Sequence, residues 1–188
     1  MPLLTESVVR PADQLSIETI DDIYNNAREA LYAAHVRSMA EDNNYIIRQL
    51  LPSDLNESNE VWAETVTAAG SAYQDSQIAN QNIPDDTSVC LYGLIDTSDP
   101  QPVTQIRITT GQGVRAIWDL FPIIGTSPNV SGGIVCRTMY AMTPVIITRN
   151  MNITIEYYVR AFSPQVIRGA EIALVGLVCE GSGKNIQP

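Results

Sequence analysis

The residue types that most often carry catalysis or hold metals are scarce in this chain, which has one histidine, His35, and three cysteines. A single histidine excludes metal centres that need several histidine ligands. No serine or cysteine nucleophile stands at a recognisable spacing from His35. We therefore expect His35 at the surface or at an interface, where protonation at about pH 6 would act on packing rather than on a substrate.

The three cysteines fall far apart, and each lies in a segment with strand character. Cys90, Cys136 and Cys179 form no C-x-x-C pair, so zinc and thioredoxin-like redox motifs are absent. An odd number of cysteines without a secretion signal predicts reduced thiols that fill small spaces in the core. The alternative is that one pair is oxidised.

Two further patterns resemble functional motifs. The segment from Glu180 to Asn185 looks like a phosphate-binding loop, but Val178 replaces its first glycine and Asn185 replaces its final serine or threonine. Asp119 and Glu156 could form the carboxylate pair of a hydrolase, although any acidic chain offers such pairs. The sequence therefore predicts no catalytic residues, no cofactor site and no metal site.

Charge and hydropathy exclude two classes of partner. The chain has 188 residues with 21 acidic and 11 basic side chains, a net charge of -10, which argues against nucleic-acid binding. Its longest apolar run, Ile172–Cys179, is well short of the roughly 20 residues of a membrane helix, so no membrane span is expected. Residues 1–86 hold 15 acidic and 4 basic side chains, a net charge of -11, whereas residues 87–188 hold 6 and 7 and are close to neutral. A near-neutral surface is typical of a domain that a partner covers in part.

The elements that must position any site begin with a helical pattern from Ser16 to Leu51. Thr19 and Asp22 form a capping signal, and Glu41–Asn44 interrupt the pattern. A second, short helical piece is predicted from Tyr45 to Leu51, ended by Pro52. Apolar residues recur at steps of three and four along one helix face, as in a helix that packs on another helix. This possible contact stripe consists of Ile20, Tyr24, Ala27, Leu31 and Ala34. It packs either on its own domain or on a copy or neighbouring protein.

Beyond Pro52 the helical period gives way to short strands separated by Gly, Pro, Asn and Asp. Residues 61–69 alternate as a strand, although a short helix there is the alternative, and the polar stretch Tyr73–Asn82 leads to a turn at Ile83–Asp86. Strands are predicted at 88–95, 103–110, 114–118, 134–142, 145–148, 152–161 and 170–180. Residues 152–160 alternate as in a strand with one wet face, and Ile172–Cys179 is apolar throughout, as in a strand buried on both faces.

This pattern predicts a mainly β fold with an N-terminal α segment. The expected architecture is an antiparallel, jelly-roll-like β-sandwich of about eight strands, preceded by an amphipathic helix. We expect residues 1–55 to form an arm and helical segment, and residues 56–188 to form the sandwich with a short C-terminal tail.

The second half of the chain resembles the small jelly-roll accessory proteins, decoration or minor capsid proteins, of virus and bacteriophage capsids. The resemblance covers roughly residues 80–188. It is carried by turn and core residues, namely Ile83-Pro84, Leu91-Tyr-Gly93, Asp96–Pro100, Ile106–Gly111, Ile117-Trp-Asp119 and Leu174–Glu180. It implies a structural protein of a virion that is bound to the major shell, often as a trimer.

The sequence thus favours a non-enzymatic virion protein, made in the host cytoplasm, that stabilises a capsid through subunit contacts. The expected partners are copies of itself, with a trimer favoured, and the major capsid protein or neighbouring shell subunits. The alternative is a glycan- or receptor-binding sandwich of a viral spike, which would expose Trp62, Trp118 or Tyr158.

Overall fold

A computed structural model describes residues 8–38, 45–55, 60–62, 64–67, 73–97, 103–120, 137–159, 167–170 and 172–181. Two helices, a 3-10 turn at Ala12–Gln14 and eleven strands lie in these ranges. In chain order they are β1 (Val9–Pro11), α1 (Ile17–Ser38), β2 (Tyr45–Gln49), α2 (Pro52–Leu55), β3 (Glu64–Thr67), β4 (Tyr73–Asn82), β5 (Thr87–Asp96), β6 (Val103–Thr110), β7 (Gly113–Asp119), β8 (Arg137–Ile147), β9 (Asn152–Val159), β10 (Ile167–Ala170) and β11 (Ile172–Gly181).

The strands form two main antiparallel sheets. One has five strands in the order β1-β8-β5-β11-β2, and the other has four in the order β4-β9-β6-β7. A separate antiparallel pair joins β10 to β3. The two main sheets face each other in a sandwich-like arrangement, and the predicted fold class, a mainly β protein with an N-terminal helix, is confirmed.

The main hydrophobic core lies between the two sheets. Strand β9 shows how the sequence builds it, because Ile153, Ile155, Tyr157 and Val159 are buried while the residues between them reach the other face. Trp118 of β7 and Ile106 of β6 are fully buried in the same cluster. The predicted alternation of this strand, with one wet face, is confirmed.

The other face of the five-stranded sheet is covered by α1. Ile23, Ala27 and Leu31 of the helix pack against Cys90 and Tyr92 of β5, and Leu177 and Cys179 of β11 belong to the same cluster. Strand β11 therefore has covered residues on both faces, as its unbroken apolar run predicts. The molecule has three layers in the described ranges, a helix, a five-stranded sheet and a four-stranded sheet.

The predicted second helical piece is wrong, because Tyr45–Gln49 forms strand β2. Residues 177–181 of β11 offer an antiparallel partner, and the Leu50 N–H donates to the Gly176 carbonyl at 3.0 Å. A short apolar run is compatible with a strand or a helix, so pairing with the distant strand β11 determines that this segment is a strand. Pro52 begins the single turn of α2 instead of ending a helix, a position that suits proline because its missing N–H is not needed there.

The polar stretch Tyr73–Asn82 also differs from expectation, since it forms edge strand β4 paired with β9. Polar and apolar residues alternate only weakly along β4. An edge strand needs less of this alternation than a central strand does. Strands β1 and β2, both before residue 55, lie at the two edges of the five-stranded sheet. Strands that precede residue 55 and strands that follow it thus belong to one sheet.

A β-bulge at Tyr92 lies in the middle of the five-stranded sheet. The register of β5 shifts there against both β11 and β8. Backbones approach closely at this point, because a Cβ on Gly93 would meet the Met139 carbonyl oxygen at 2.5 Å and one on Gly176 would meet that of Cys90 at 2.5 Å. Cys90 and Tyr92 both face the helix, whereas beyond the bulge Leu94 packs in the core between the sheets.

Candidate interaction site

The candidate site is the surface that α1 shares with edge strand β2, and the start of α1 fixes its position. Ser16 caps the helix, with its Oγ accepting the Thr19 N–H at 3.2 Å, so the cap lies three residues before the predicted one. Backbone hydrogen bonds in this first turn lower the pKa of the Glu18 carboxyl. The helix then runs 22 residues across the sheet.

The predicted contact stripe is only partly turned toward the sheet. Ala27 and Leu31 are buried, Ile20 and Ala34 are half-buried, and Tyr24 is exposed. The line of fully covered residues follows a spacing of four, through Ile23, Ala27, Leu31 and His35. Whether any part of α1 contacts another protein remains a prediction.

An apolar row remains uncovered beside that line. We call it the outer row, and it consists of Ile17, Tyr24, Tyr32 and Val36, with exposures of 76%, 41%, 50% and 40%. Spacings of seven, eight and four place these residues along one side of the helix. Large apolar side chains grouped on one helix side are the usual mark of a surface that contacts a partner.

A groove with a volume of about 690 Å³ lies between α1 and β2, and Tyr24 and Tyr32 of the outer row line it. Its walls come from the helix and its floor from the edge strand: Tyr24, Asn25, Arg28, Glu29, Tyr32, Tyr45 and Ile47. Five strands at about 4.8 Å spacing are wider than the roughly 10 Å of one helix, so α1 leaves the β2 side of the sheet uncovered. The groove is thus a consequence of one helix covering five strands.

Tyrosine rings line and continue this groove. The Tyr32 and Tyr45 ring centroids lie 6.3 Å apart and nearly perpendicular, and Tyr24 meets Tyr92 in the same way at 6.5 Å. Tyr92 in turn stacks on Tyr140. Burial is the main cause that raises the pKa of Tyr92 to about 12. Rigid aromatic rings with hydroxyl groups are favoured at protein interfaces, since they offer large contact area with little conformational entropy to lose.

His35 lies behind the groove and is fully buried between α1 and the five-stranded sheet, so of the two expected positions, the surface and an interface, the surface is wrong. Its Nδ1 is 2.9 Å from the Ser88 Oγ of β5, and its ring packs edge-on against Tyr45 at 4.7 Å. No spacing in the sequence indicates that a serine lies near this histidine. Because Ser88 is also fully buried, the pair is closed to a substrate and serves as a link between helix and sheet.

A cluster of charged side chains holds β2 in place. Arg48 forks between two carboxylates, Asp54 of α2 at 2.6 Å and Glu180 of β11 at 2.8 Å. The Asp54 carboxylate also accepts the Leu51 N–H at 2.7 Å. These bonds hold the pKa of Arg48 above its ordinary value. Arg48 therefore fixes the edge strand that forms the floor of the groove.

The outer face of the four-stranded sheet carries the residues considered for other functions. Glu156 is paired with Arg107, whose guanidinium lies 3.9 Å from the Tyr73 ring centre. Arg107 lowers the pKa of Glu156, which is opposite to the shift a catalytic acid needs. Asp119 lies on β7, and strand β6 with Arg107 separates it from β9. The two carboxylates are therefore not placed side by side.

Most of the remaining candidates are core residues, and Tyr158 is the exception. Trp118 is fully buried and Trp62 packs partly buried against the main core. Tyr158 is half-buried, and its ring lies 5.3 Å from that of Tyr73 on the outer face. Cys90 and Cys179 are buried free thiols, as predicted, and burial raises their pKa to about 12 and about 11. Cys136 lies outside the described residues.

Comparison with protein-family models, with curated proteins and with solved structures gives no match to this chain. In the part of the chain that the structure describes, neither helix combines the length and apolar character needed to cross a bilayer. The groove and the outer row are therefore the features from which a function can be inferred.

Proposed function

We propose that this chain is a non-enzymatic structural protein of a virus particle, which binds and stabilises the shell through contacts between subunits. The observation that carries the proposal is the outer row of α1 beside the tyrosine-lined groove. Four large apolar side chains are exposed along the helix, beside the line of residues that packs on the sheet. Covering such a surface removes apolar area from water at about 25 cal/mol per Å².

The proposed occupant of this surface is a neighbouring subunit of the shell that presents apolar side chains ringed by basic ones. The chain carries a net charge of -10, and acidic residues outnumber basic ones strongly in its first 86 residues, which include α1 and β2. Charge of one sign favours a partner of the opposite sign and speeds its approach. Self-association, with a trimer favoured, is part of the same proposal.

Two charge-introducing variants test the docking surface. Ile17→Glu and Tyr32→Glu each place a carboxylate in the outer row, and Glu suits the first turn of a helix, so folding survives at Ile17. Ile117→Glu, on the outer face of the four-stranded sheet and 37% exposed, is the matched control. The probe is a shell assembled from the major capsid protein encoded nearest to the gene of this chain.

Co-sedimentation with these shells should retain the wild type and the Ile117→Glu protein. The two outer-row variants should lose at least about tenfold in affinity, because each buries a charge without a partner. Sedimentation velocity from low micromolar to sub-millimolar concentration measures self-association. Failure of the wild type to bind shells, together with a monomer at every concentration, would reject the proposal, as would equal binding by all variants.

One observation favours the second candidate, a glycan- or receptor-binding sandwich. Tyr73, Tyr158 and the Arg107–Glu156 pair form a polar and aromatic patch on the outer face of the four-stranded sheet. Aromatic rings with polar neighbours are typical of sugar-binding surfaces. Binding on a glycan array that Tyr158→Ala abolishes and Tyr32→Glu leaves intact would favour this function over the first.

A further inference from the structure

We propose that His35 is a pH-sensitive clasp, which holds the C-terminal turns of α1 on the five-stranded sheet while its ring is neutral and releases them when the ring is protonated. The clasp is internal to the chain. It therefore does not depend on the proposed shell contact.

The position of His35 makes it the link between three elements. The side chain leaves the last turns of α1, reaches Ser88 at the start of β5 and lies against Tyr45 of β2. The Ser38 hydroxyl donates to the His35 carbonyl at 2.8 Å and closes the end of the helix above it. His35 has no exposed surface, so any change in its charge occurs inside the helix–sheet interface.

The hydrogen bonds of the ring distinguish its neutral form from its charged form. Nδ1 has Ser88 as its partner, whereas Nε2 is buried and has no hydrogen-bond partner among the described residues. The neutral tautomer that fits donates from Nδ1 to the Ser88 Oγ and leaves Nε2 as a bare acceptor. Protonation adds an N–H at Nε2. A buried donor without an acceptor is costly, and more so when it carries charge.

The charged groups near His35 shift its pKa in opposite directions. Burial is the largest influence and lowers the pKa of His35, Asp86 before β5 opposes this, and Arg149 after β8 reinforces it. Groups on the other packed elements are neutral or already paired. Cys179 of β11 has a pKa raised to about 11, and the Glu180 carboxylate is bound to Arg48.

The direction of the pH effect follows from that lowered pKa. A histidine in unfolded chain binds its proton near pH 6.5, as a typical value, whereas buried His35 binds it only at lower pH. The released state therefore takes up more protons across this window, and acidification favours it. The attachment of α1 is complete above about pH 6.5 and weakens as the pH falls toward the folded pKa.

The chain offers a clean test because His35 is its only histidine. Hydrogen exchange of α1 peptides is measured at about pH 7.5 and about pH 5.5, corrected for intrinsic rates, a window in which ordinary carboxylates stay ionised. The opening constant of α1 should rise by about tenfold for each pH unit between the unfolded and folded pKa of His35. NMR titration of the His35 ring in the wild type gives that folded pKa without any variant.

Two variants separate the clasp from general destabilisation. His35→Gln can still donate to Ser88 but has no charged form, so its α1 protection should be the same at both pH values. Leu31→Ala, four residues earlier on the covered side, should weaken α1 equally at both and keep the wild-type pH response. A His35 ring that titrates at or above the unfolded value, or a pH response that survives in His35→Gln, overturns the proposal.

Discussion

The two main sheets differ in how they are covered, although they have nearly the same number of strands. The five-stranded sheet lies between α1 and the four-stranded sheet, so strand β11 is apolar almost without interruption. Among the residues that the structure describes, the four-stranded sheet is covered on one face, and its strand β9 alternates strictly. The comparison teaches that the pattern of a strand reports the number of layers on it rather than its pairing.

The two covered faces of the five-stranded sheet also differ in composition. The core between the two sheets packs mostly aliphatic residues with Trp118 and Tyr157, whereas the layer toward α1 contains several tyrosines, two thiols and His35. The helix layer therefore includes polar groups that need partners, and it is the layer that charge can loosen. The sandwich layer responds mainly to changes in volume.

The largest effect is expected from Trp118→Ala, which empties the centre of the sandwich layer. Removing a buried tryptophan should lower the free energy of unfolding by about 3–5 kcal/mol, measured by denaturant melts. Trp118→Phe is the control, because it keeps most of the volume and removes an Nε1–H that has no partner among the described residues. We expect it to cost less than about 1 kcal/mol. Equal losses in both variants would contradict this view of the core.

A smaller effect is expected from Gly176→Ala in β11, where the sheet backbones are closest. The new Cβ would lie 2.5 Å from the Cys90 carbonyl oxygen, so β5 and β11 must move apart. The expected loss is about 2 kcal/mol in the free energy of unfolding. Gly181→Ala in the same strand has open space at its Cβ and should be close to neutral. A neutral Gly176→Ala would show that the bulge adjusts freely.

The smallest effects compare one arginine from each sheet. Arg48 is 26% exposed and serves carboxylates that are only 10% and 8% exposed, whereas Arg107 is 30% exposed and its partner Glu156 16%. Arg48→Met should cost about 2 kcal/mol, because two nearly buried charges lose their partner. Arg107→Met, on the wet face, should cost about 0.5 kcal/mol. A larger loss of stability for Arg107→Met than for Arg48→Met in thermal or denaturant melts would contradict this difference between the two sheets.

The same Arg107 variant carries a pH signature. Because the folded pKa of Glu156 is lowered, its pairing stabilises the protein above the unfolded value of about 4.3 and is lost as the pH falls through the folded pKa. In Arg107→Met this acid-side slope should become shallower. Melts recorded across that range, with Arg115→Met as a control on the same face, check the assignment.

Periodicity was sufficient to predict α1, the strands β5, β6, β7, β9 and β11 and the sandwich they form. It divided β8 into two strands, at 134–142 and 145–148, and it did not predict β10. It failed at β2, since the strand character of Tyr45–Gln49 comes from pairing with β11 far along the chain. It also failed for the polar edge strand β4. A local sequence pattern predicts a helix or strand only where the residues of that segment, and not its distant partners, determine its secondary structure.

The site was less predictable than the fold. The stripe through Ala27 and Leu31 was foreseen, but the helix rotation that covers His35 and exposes Tyr24 depends on the sheet beneath it. His35 and Ser88 are 53 positions apart, and no spacing rule joins them. The groove arises from the width of a helix relative to five strands, a property of the assembled layers alone.

The pairing of β2 with β11 also determines when the chain can fold during synthesis. Arg48 and Glu180 are 132 positions apart, so the strand that follows α1 waits until the residues between them have been synthesised and β11 has left the ribosome. Strand β1, at the opposite edge, waits similarly for β8. Until then α1 has no complete sheet to cover, and its apolar side is open to chaperones or to neighbouring nascent chains.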